Sequence, residues 1–236
     1  MDPKIIIAAD NDEVAAKLIK VVKEAIDSAK EAEKAVIGLS GGSLPKFLAA
    51  GMKTEVGKSI NWSKVTFIFC DERLVAFDDP ESTLGLYLKL FKDTDIKEEQ
   101  FVKVAVDLDV EAAAKDYEDK LKSIMSDKPQ ADLLLLGMGP DGHTCSLFPG
   151  HSLLEEKDKI VAFIKDSPKP PPERVTLTFP VLNNAKAVAF VSTGDGKKEM
   201  IKNILKDKND AFPATRVKPT DGKLFWIIDK PAAACL

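Results

Sequence analysis

The chain has 236 residues, of which 44% are hydrophobic, and this is enough to bury one large core. Its formal net charge is −4 at pH 7, which argues against nucleic acid as the main partner, because DNA and RNA require a cationic surface. Cys70, Cys145 and Cys235 have the spacing of neither a disulfide framework nor a zinc site. No apolar run has the length of a signal peptide or a membrane span, so we expect a cytoplasmic protein that does not bind membranes.

Short apolar runs alternate with helical patterns, and we interpret each run as a strand. The runs are IIIAA at 5–9, AVIGL at 35–39, VTFIF at 65–69, LLLLG at 133–137, IVAFI at 160–164, VTLTF at 175–179, AVAFV at 187–191 and LFWII at 224–228. Two amphipathic helices are predicted, one over 12–30 with Asp12 as its cap, and one over 111–125 with Leu121, Ile124 and Met125 facing inward.

Unbroken apolar strands linked by helices predict a mostly parallel sheet that is covered on both faces. We therefore expect a Rossmann-like, three-layer α/β/α fold in a single domain over residues 1–236. The proline-rich run at 167–174 is interpreted as an ordered loop, because too little chain follows it for a second domain. In such sheets ligands bind beyond the carboxyl ends of the strands, so the residues that follow each run are the candidates for function.

Small residues follow the second run, where Ser40, Gly41, Gly42 and Ser43 precede a helical stretch from Leu44. Small residues let the backbone approach an anion, and a helix N-terminus offers free N–H groups to it. The alternative is a turn that merely needs glycine. The segment is not a Walker loop, since the glycine followed by Lys-Ser/Thr is missing.

Charged side chains follow the third run. Asp71 and Arg73 are expected to face a cleft, whereas for Glu72 we favour a local ion pair that caps the next segment. Further along the chain, Arg174 closely follows three prolines and Lys197 follows a glycine-rich turn. Either can be a solvated charge or an anion ligand. Arg174 precedes its strand, so the direction of the strand at 175–179, parallel or antiparallel, stays open.

The segment after LLLLG carries an aspartate two residues before a histidine on a glycine-rich loop, Asp141 and His143. This arrangement favours acid–base chemistry. Gly137, Gly139 and Gly142 also match the dinucleotide pattern GxGxxG, but Pro140 lies inside the turn and no good helix start follows. The chain has only two histidines. The other, His151, is interpreted as a surface or supporting residue.

Five segments in order resemble the glucosamine-6-phosphate isomerase/6-phosphogluconolactonase family. They are GLSGGS, DERLV, LLLLGMGPDGHTCSLFPG, SPKPPPERVTLT and STGDGK. The resemblance implies the shared α/β fold of glucosamine-6-phosphate deaminases and ribose-5-phosphate isomerases. It also implies hydrolysis of a phosphorylated sugar lactone without a metal or cofactor, in the pentose phosphate pathway.

The resemblance assigns roles to individual residues of this chain. It implies that His143 is the catalytic base, that Asp141 belongs to the same loop, and that Arg73 lies near the reacting centre. It implies that Gly41, Gly42 and Ser43 line the substrate site. It also implies that Arg174 and Lys197 bind the phosphate. The chain departs from many bacterial members after DERLV, where AFDDPESTLGLY contains no histidine.

Two other functions are considered. An amino-sugar-phosphate deaminase or isomerase on the same scaffold is expected to carry a glutamate five residues after the histidine, where this chain has Phe148. A non-catalytic sugar-phosphate sensor is the second, and related regulators carry a DNA-binding helix-turn-helix that has no room here. Turnover of a lactone, as opposed to binding without turnover, distinguishes the sensor from the enzyme.

Overall fold

The computed structural model describes residues 2–29 and 34–236, and these residues form two sheets. The larger sheet has six parallel strands in the order β1-β9-β8-β5-β2-β3, and the smaller has three antiparallel strands in the order β4-β7-β6. The strands are β1 Lys4–Ala8, β2 Ala35–Leu39, β3 Val65–Phe69, β4 Asp71–Arg73, β5 Leu133–Gly137, β6 Val161–Ile164, β7 Arg174–Leu177, β8 Ala187–Ser192 and β9 Lys223–Asp229.

Helices flank the larger sheet, which gives the predicted three-layer α/β/α fold. The α-helices are α1 Asn11–Ser28, α2 Leu44–Met52, α3 Glu55–Lys58, α4 Thr83–Phe91, α5 Val110–Met125, α6 Phe179–Leu182, α7 Lys198–Ile201 and α8 Pro213–Arg216. Short 3-10 turns lie at Trp62–Lys64, Glu98–Gln100, Ser152–Glu155 and Asp195–Lys197, and a π-turn lies at Lys202–Lys206.

The two long helices differ in detail from their prediction. Helix α1 begins at Asn11 and is capped by Asp10, whose carboxylate accepts the backbone N–H of Glu13 at 2.9 Å, so Asp12 as the cap is wrong. The predicted end at residue 30 lies outside the described residues. In α5, Leu121 is buried but Ile124 is 42% exposed. Ile124 lies on the same helical face, so the last turn extends past the partners that cover Leu121.

Strand β7 settles the direction that the sequence left open. It runs antiparallel between β4 and β6, and Arg174 is its first residue, paired with Arg73 on β4. The predicted strand at 175–179 ends two residues early, because Pro180 cannot donate to a sheet and lies in the first turn of α6 instead. The antiparallel direction is what lets Arg174 approach the carboxyl ends of the parallel strands.

Candidate active site

A cavity of about 260 Å³ lies at the carboxyl ends of the neighbouring strands β2, β3, β5 and β8. Parallel strands bring the loops that follow them to one edge of the sheet, and here the loops come from distant parts of the sequence. The cavity is lined by these residues that the sequence singled out: Gly41, Gly42, Ser43, Asp71, Arg73, His143, Arg174 and Lys197.

His143 and Asp141 form a hydrogen-bonded pair through the imidazole Nδ1 and the carboxylate Oδ1. Their loop is closed by backbone hydrogen bonds from Gly139 N to the His143 carbonyl (2.9 Å) and from Gly142 N to the Gly139 carbonyl (3.0 Å). The imidazole lies against the Cα of Gly139, where any side chain would overlap both His143 and Asp141. Because Nδ1 is engaged by the carboxylate, Nε2 is the nitrogen free to act as a base.

The surroundings of the pair favour a neutral imidazole. Burial lowers the pKa of His143, the nearby charge of Lys169 lowers it further, and the hydrogen bond that His143 donates to Asp141 only partly opposes this. The ring of Phe148 lies 4.8 Å from the imidazole centroid and contributes to that burial. For Asp141, burial raises the pKa, but the hydrogen bond to His143 and the charge of Lys169 outweigh burial, so the pKa is lowered. The ground state is therefore a neutral histidine beside a carboxylate.

The loop after β2 offers backbone N–H groups to the cavity. Gly42 has a φ of +70°, a left-handed conformation that favours glycine. Helix α2 then begins at Leu44, and Ser43 makes no side-chain hydrogen bond to the first turn. The start of α2 therefore presents the positive end of its dipole at the cavity wall.

The three charged residues of β4 have separate environments. Asp71 accepts the hydroxyl of Ser146 at 2.9 Å and lines the cavity. Arg73 also lines it, and its Nη1 donates to the carboxylate of Glu81 at 3.0 Å. Glu72 points away: its carboxylate accepts three backbone N–H groups, from Arg73, Thr83 and Leu84, each at 2.8 Å. Glu72 therefore caps the start of α4 as expected, but it does so by accepting backbone N–H groups and not through the predicted ion pair.

Two cations, Arg174 and Lys197, line the cavity, and both are anchored by backbone carbonyls. Arg174 is buried, and its guanidinium donates from Nε to Pro171 (3.1 Å) and from Nη2 to Lys169 (2.7 Å). Lys197 donates to the carbonyl of Met138 at 2.8 Å. Burial lowers the pKa of both side chains, and the charges of Arg73 and Lys169, respectively, lower it further. Converging positive charges that destabilise one another favour an anionic ligand.

Several residues of this site were not selected as candidates from the sequence. Ser40 and Ser192 line the cavity with buried hydroxyls that have no hydrogen-bond partner within the described residues. Lys169 lies beside His143, although only Arg174 was selected from its loop. All three lie in or beside segments that the sequence marked: Ser40 adjoins the selected glycines, Lys169 lies in SPKPPPERVTLT, and Ser192 begins STGDGK. Nothing within those segments singled these residues out. His151 has a local role, since its Nδ1 accepts the N–H of Leu153 at the start of a 3-10 turn.

Within residues 2–29 and 34–236, no helix has the length and apolar character needed to cross a lipid bilayer. The same described residues contain no cluster of three or more His, Cys, Asp or Glu side chains arranged to hold a metal ion.

The fold and the cavity define an α/β/α protein with a histidine–carboxylate pair facing a cationic small-molecule site. The chain belongs to the family described as glucosamine-6-phosphate isomerases/6-phosphogluconolactonase, whose model matches residues 9–226. It is 48% identical to 6-phosphogluconolactonase of Rattus norvegicus over 231 residues, covering 95% of this chain and 90% of that protein. It is 51% identical to the Homo sapiens 6-phosphogluconolactonase over 206 residues, covering 85% and 80%.

The solved structure of 6-phosphogluconolactonase from Trypanosoma cruzi has the same fold. It superposes with a TM-score of 0.88 at 29% identity, and the match covers 100% of this chain and 98% of that one. The family expected from the five sequence segments is confirmed.

Proposed function

We propose that this chain is an enzyme that hydrolyses 6-phospho-D-glucono-1,5-lactone to 6-phosphogluconate in the pentose phosphate pathway. The observation that carries the proposal is that His143, which is paired with Asp141, lines the same cavity as Arg174 and Lys197. A base and several cations that line one small cavity fit a substrate that carries both a reactive carbonyl and a phosphate. The 48% and 51% identity to mammalian 6-phosphogluconolactonases supports the same activity.

The reaction begins when neutral His143 takes a proton at Nε2 from a water molecule that attacks the lactone carbonyl. The water oxygen bonds to the carbonyl carbon, and the oxyanion that forms is stabilised by Arg73, whose guanidinium Glu81 holds at the cavity wall. The imidazolium then protonates the ring oxygen as its bond to the carbonyl carbon breaks. General base catalysis of this kind supplies about 10²–10⁴-fold.

The phosphate supplies binding energy at a position remote from the reacting carbon. Arg174, Lys197 and the backbone of Gly41, Gly42 and Ser43 form its proposed site, and Asp71 is placed to accept sugar hydroxyls. Charge-assisted hydrogen bonds of this kind contribute about 1.5–3 kcal/mol each. Binding energy from the phosphate also orients the lactone carbonyl toward His143.

Deamination or isomerisation of an amino-sugar phosphate is disfavoured by Phe148. Aldose–ketose chemistry must move a carbon-bound proton and needs a further base, and the buried ring of Phe148 fills the place expected for it. A sensor without catalysis would have little use for the orienting contact between Asp141 and His143.

The remaining features of the proposal concern the whole chain. We propose that residues 1–236 form one domain, that the protein is cytoplasmic, and that it uses neither a cofactor nor a metal. Neither nucleic acid nor a membrane is a proposed partner, in keeping with the net charge of −4.

The test is to generate the phosphorylated lactone in situ with glucose-6-phosphate dehydrogenase and follow its loss. The spontaneous hydrolysis rate is subtracted, and wild type is compared with His143→Ala after circular dichroism has established that the variant folds. We expect rapid loss with wild type and the background rate with the variant. Rapid loss with both would remove His143 from the mechanism, and background loss with both would reject the activity.

A further inference from the structure

Lys169 lies on the proline-rich loop at 167–174, and its ammonium contacts both members of the catalytic pair. Nζ is 3.2 Å from His143 Nδ1 and 3.5 Å from Asp141 Oδ1. The backbone of Lys169 is fixed on two sides. The Ser167 hydroxyl donates to its carbonyl at 2.7 Å, and so does Nη2 of Arg174 at 2.7 Å. These bonds fix the point from which the side chain extends, and the contacts of Nζ with His143 and Asp141 define where the ammonium lies.

The geometry restricts what this ammonium can do. An ammonium has only donors, and an Nδ1 whose hydrogen points at Asp141 has no lone pair to receive one. Lys169 therefore acts on His143 through its charge and on Asp141 as a second donor. A positive charge next to an imidazole disfavours the imidazolium, whereas a donor on the carboxylate restricts where Asp141 can lie.

We propose that Lys169 is a positioning residue that keeps His143 neutral before the reaction and holds Asp141 against Nδ1. This inference rests on the proposed lactone hydrolysis. When His143 takes the proton from water, the imidazolium lies between the Asp141 carboxylate and the Lys169 ammonium. The ammonium raises the free energy of that intermediate, and this favours transfer of the proton to the departing ring oxygen, which completes the cycle.

The same loop connects the base to the proposed anion site. Arg174, a proposed phosphate ligand, lines the cavity and also donates to the Lys169 carbonyl. Other charged groups also face this cavity: Asp71 and Arg73 from β4, and Lys197 after β8. The charge of Asp71 raises the pKa of His143, and the charge of Lys169 lowers it more strongly. Lys169 is thus the cation in direct contact with the imidazole.

The first test compares the pH dependence of kcat/KM for wild type, Lys169→Met and Lys169→Arg. Without the ammonium, the imidazolium is easier to form, so we expect the acidic limb of Lys169→Met to move to higher pH. Relative to wild type, activity should fall at least about threefold more at pH 6 than at pH 8. Lys169→Arg keeps the charge and should restore the wild-type limb. Lys165→Met removes an exposed charge four residues away and should leave the profile unchanged.

A second measurement follows the titration of His143 directly and does not require turnover of a substrate. The chain has two histidines, so ¹⁵N NMR titration resolves His143 once His151→Asn has assigned the other. We expect His143 to titrate at higher pH in Lys169→Met than in wild type, and this holds whether or not the lactone is the substrate. An unchanged titration, or an equal loss of kcat/KM at every pH, would overturn the proposal and leave Lys169 a structural residue.

Discussion

At the scale of single residues, the Asp141 carboxylate fixes both the tautomer and the basicity of His143. Asp141→Asn removes the charge that supports the imidazolium, and its amide does not enforce a hydrogen on Nδ1. We expect kcat to fall about 100-fold or more, and the pKa of His143 to move further down, because hydrogen bonding to Asp141 raises it. The sign is opposite to that expected for Lys169→Met.

The kinetics of Asp141→Asn are followed by loss of the lactone, and the pKa of His143 is followed by NMR titration. Asp158→Asn, an exposed carboxylate outside the cavity, serves as the control and should match wild type in both measurements. An upward movement of the His143 titration in Asp141→Asn would mean that the carboxylate does not act on Nδ1.

The sequence predicted those parts of the candidate site whose residues lie close together in the chain. Asp141 and His143 are two positions apart on one loop, so their pairing needed little knowledge of the fold. Lys169 was missed because its contact with His143 spans 26 residues and depends on how the proline-rich loop folds back. The buried hydroxyl of Ser192, which has no hydrogen-bond partner within the described residues, was missed because the predicted strand ends at 191 and the segment STGDGK drew attention to Lys197.

At the scale of elements, the buried strands were predictable and the polar ones were not. Strands β2, β3 and β5 begin and end where the apolar runs do, because these strands are largely buried and nearly all their residues are apolar, Thr66 of β3 being the exception. Strand β4 consists of Asp71, Glu72 and Arg73, which have no strand pattern of their own. It forms because β7 lies alongside and pairs with it. Such pairing is a property of the tertiary structure.

Glu72 joins β4 to the start of helix α4, and this contact gives a prediction at the level of the element. Glu72→Ala leaves the buried N–H groups of Thr83 and Leu84 without an acceptor. We expect the free energy of unfolding to fall by about 2–4 kcal/mol, measured by urea denaturation. Glu99→Ala, at an exposed position, should change it little. Equal stability of the two variants would mean that water replaces the carboxylate at the start of α4.

At the scale of the whole molecule, an acidic protein concentrates positive charge in one cavity. The net charge is −4, yet Arg73, Arg174 and Lys197 line the same small space. Repulsion between these three cations destabilises the folded protein, and a bound anion reduces that repulsion. A ligand that binds only the folded state must therefore stabilise the entire chain.

This coupling predicts that 6-phosphogluconate raises the melting temperature. At about ten times its Kd the product adds about 1.4 kcal/mol of stability, equivalent to roughly 3–6 °C for a chain of this size. Gluconate lacks the phosphate and should give almost no shift at the same concentration. Lys197→Met should raise the Kd about ten- to a hundred-fold, so the stabilisation at the same concentration should fall to about 0.4 kcal/mol or less. Its shift, relative to its own ligand-free melting temperature, should then be less than about a third of the wild-type shift. Lys206→Met, at an exposed position on the same segment, should keep the full shift. If gluconate and 6-phosphogluconate stabilised wild type equally, the cations of this cavity would not be a phosphate site.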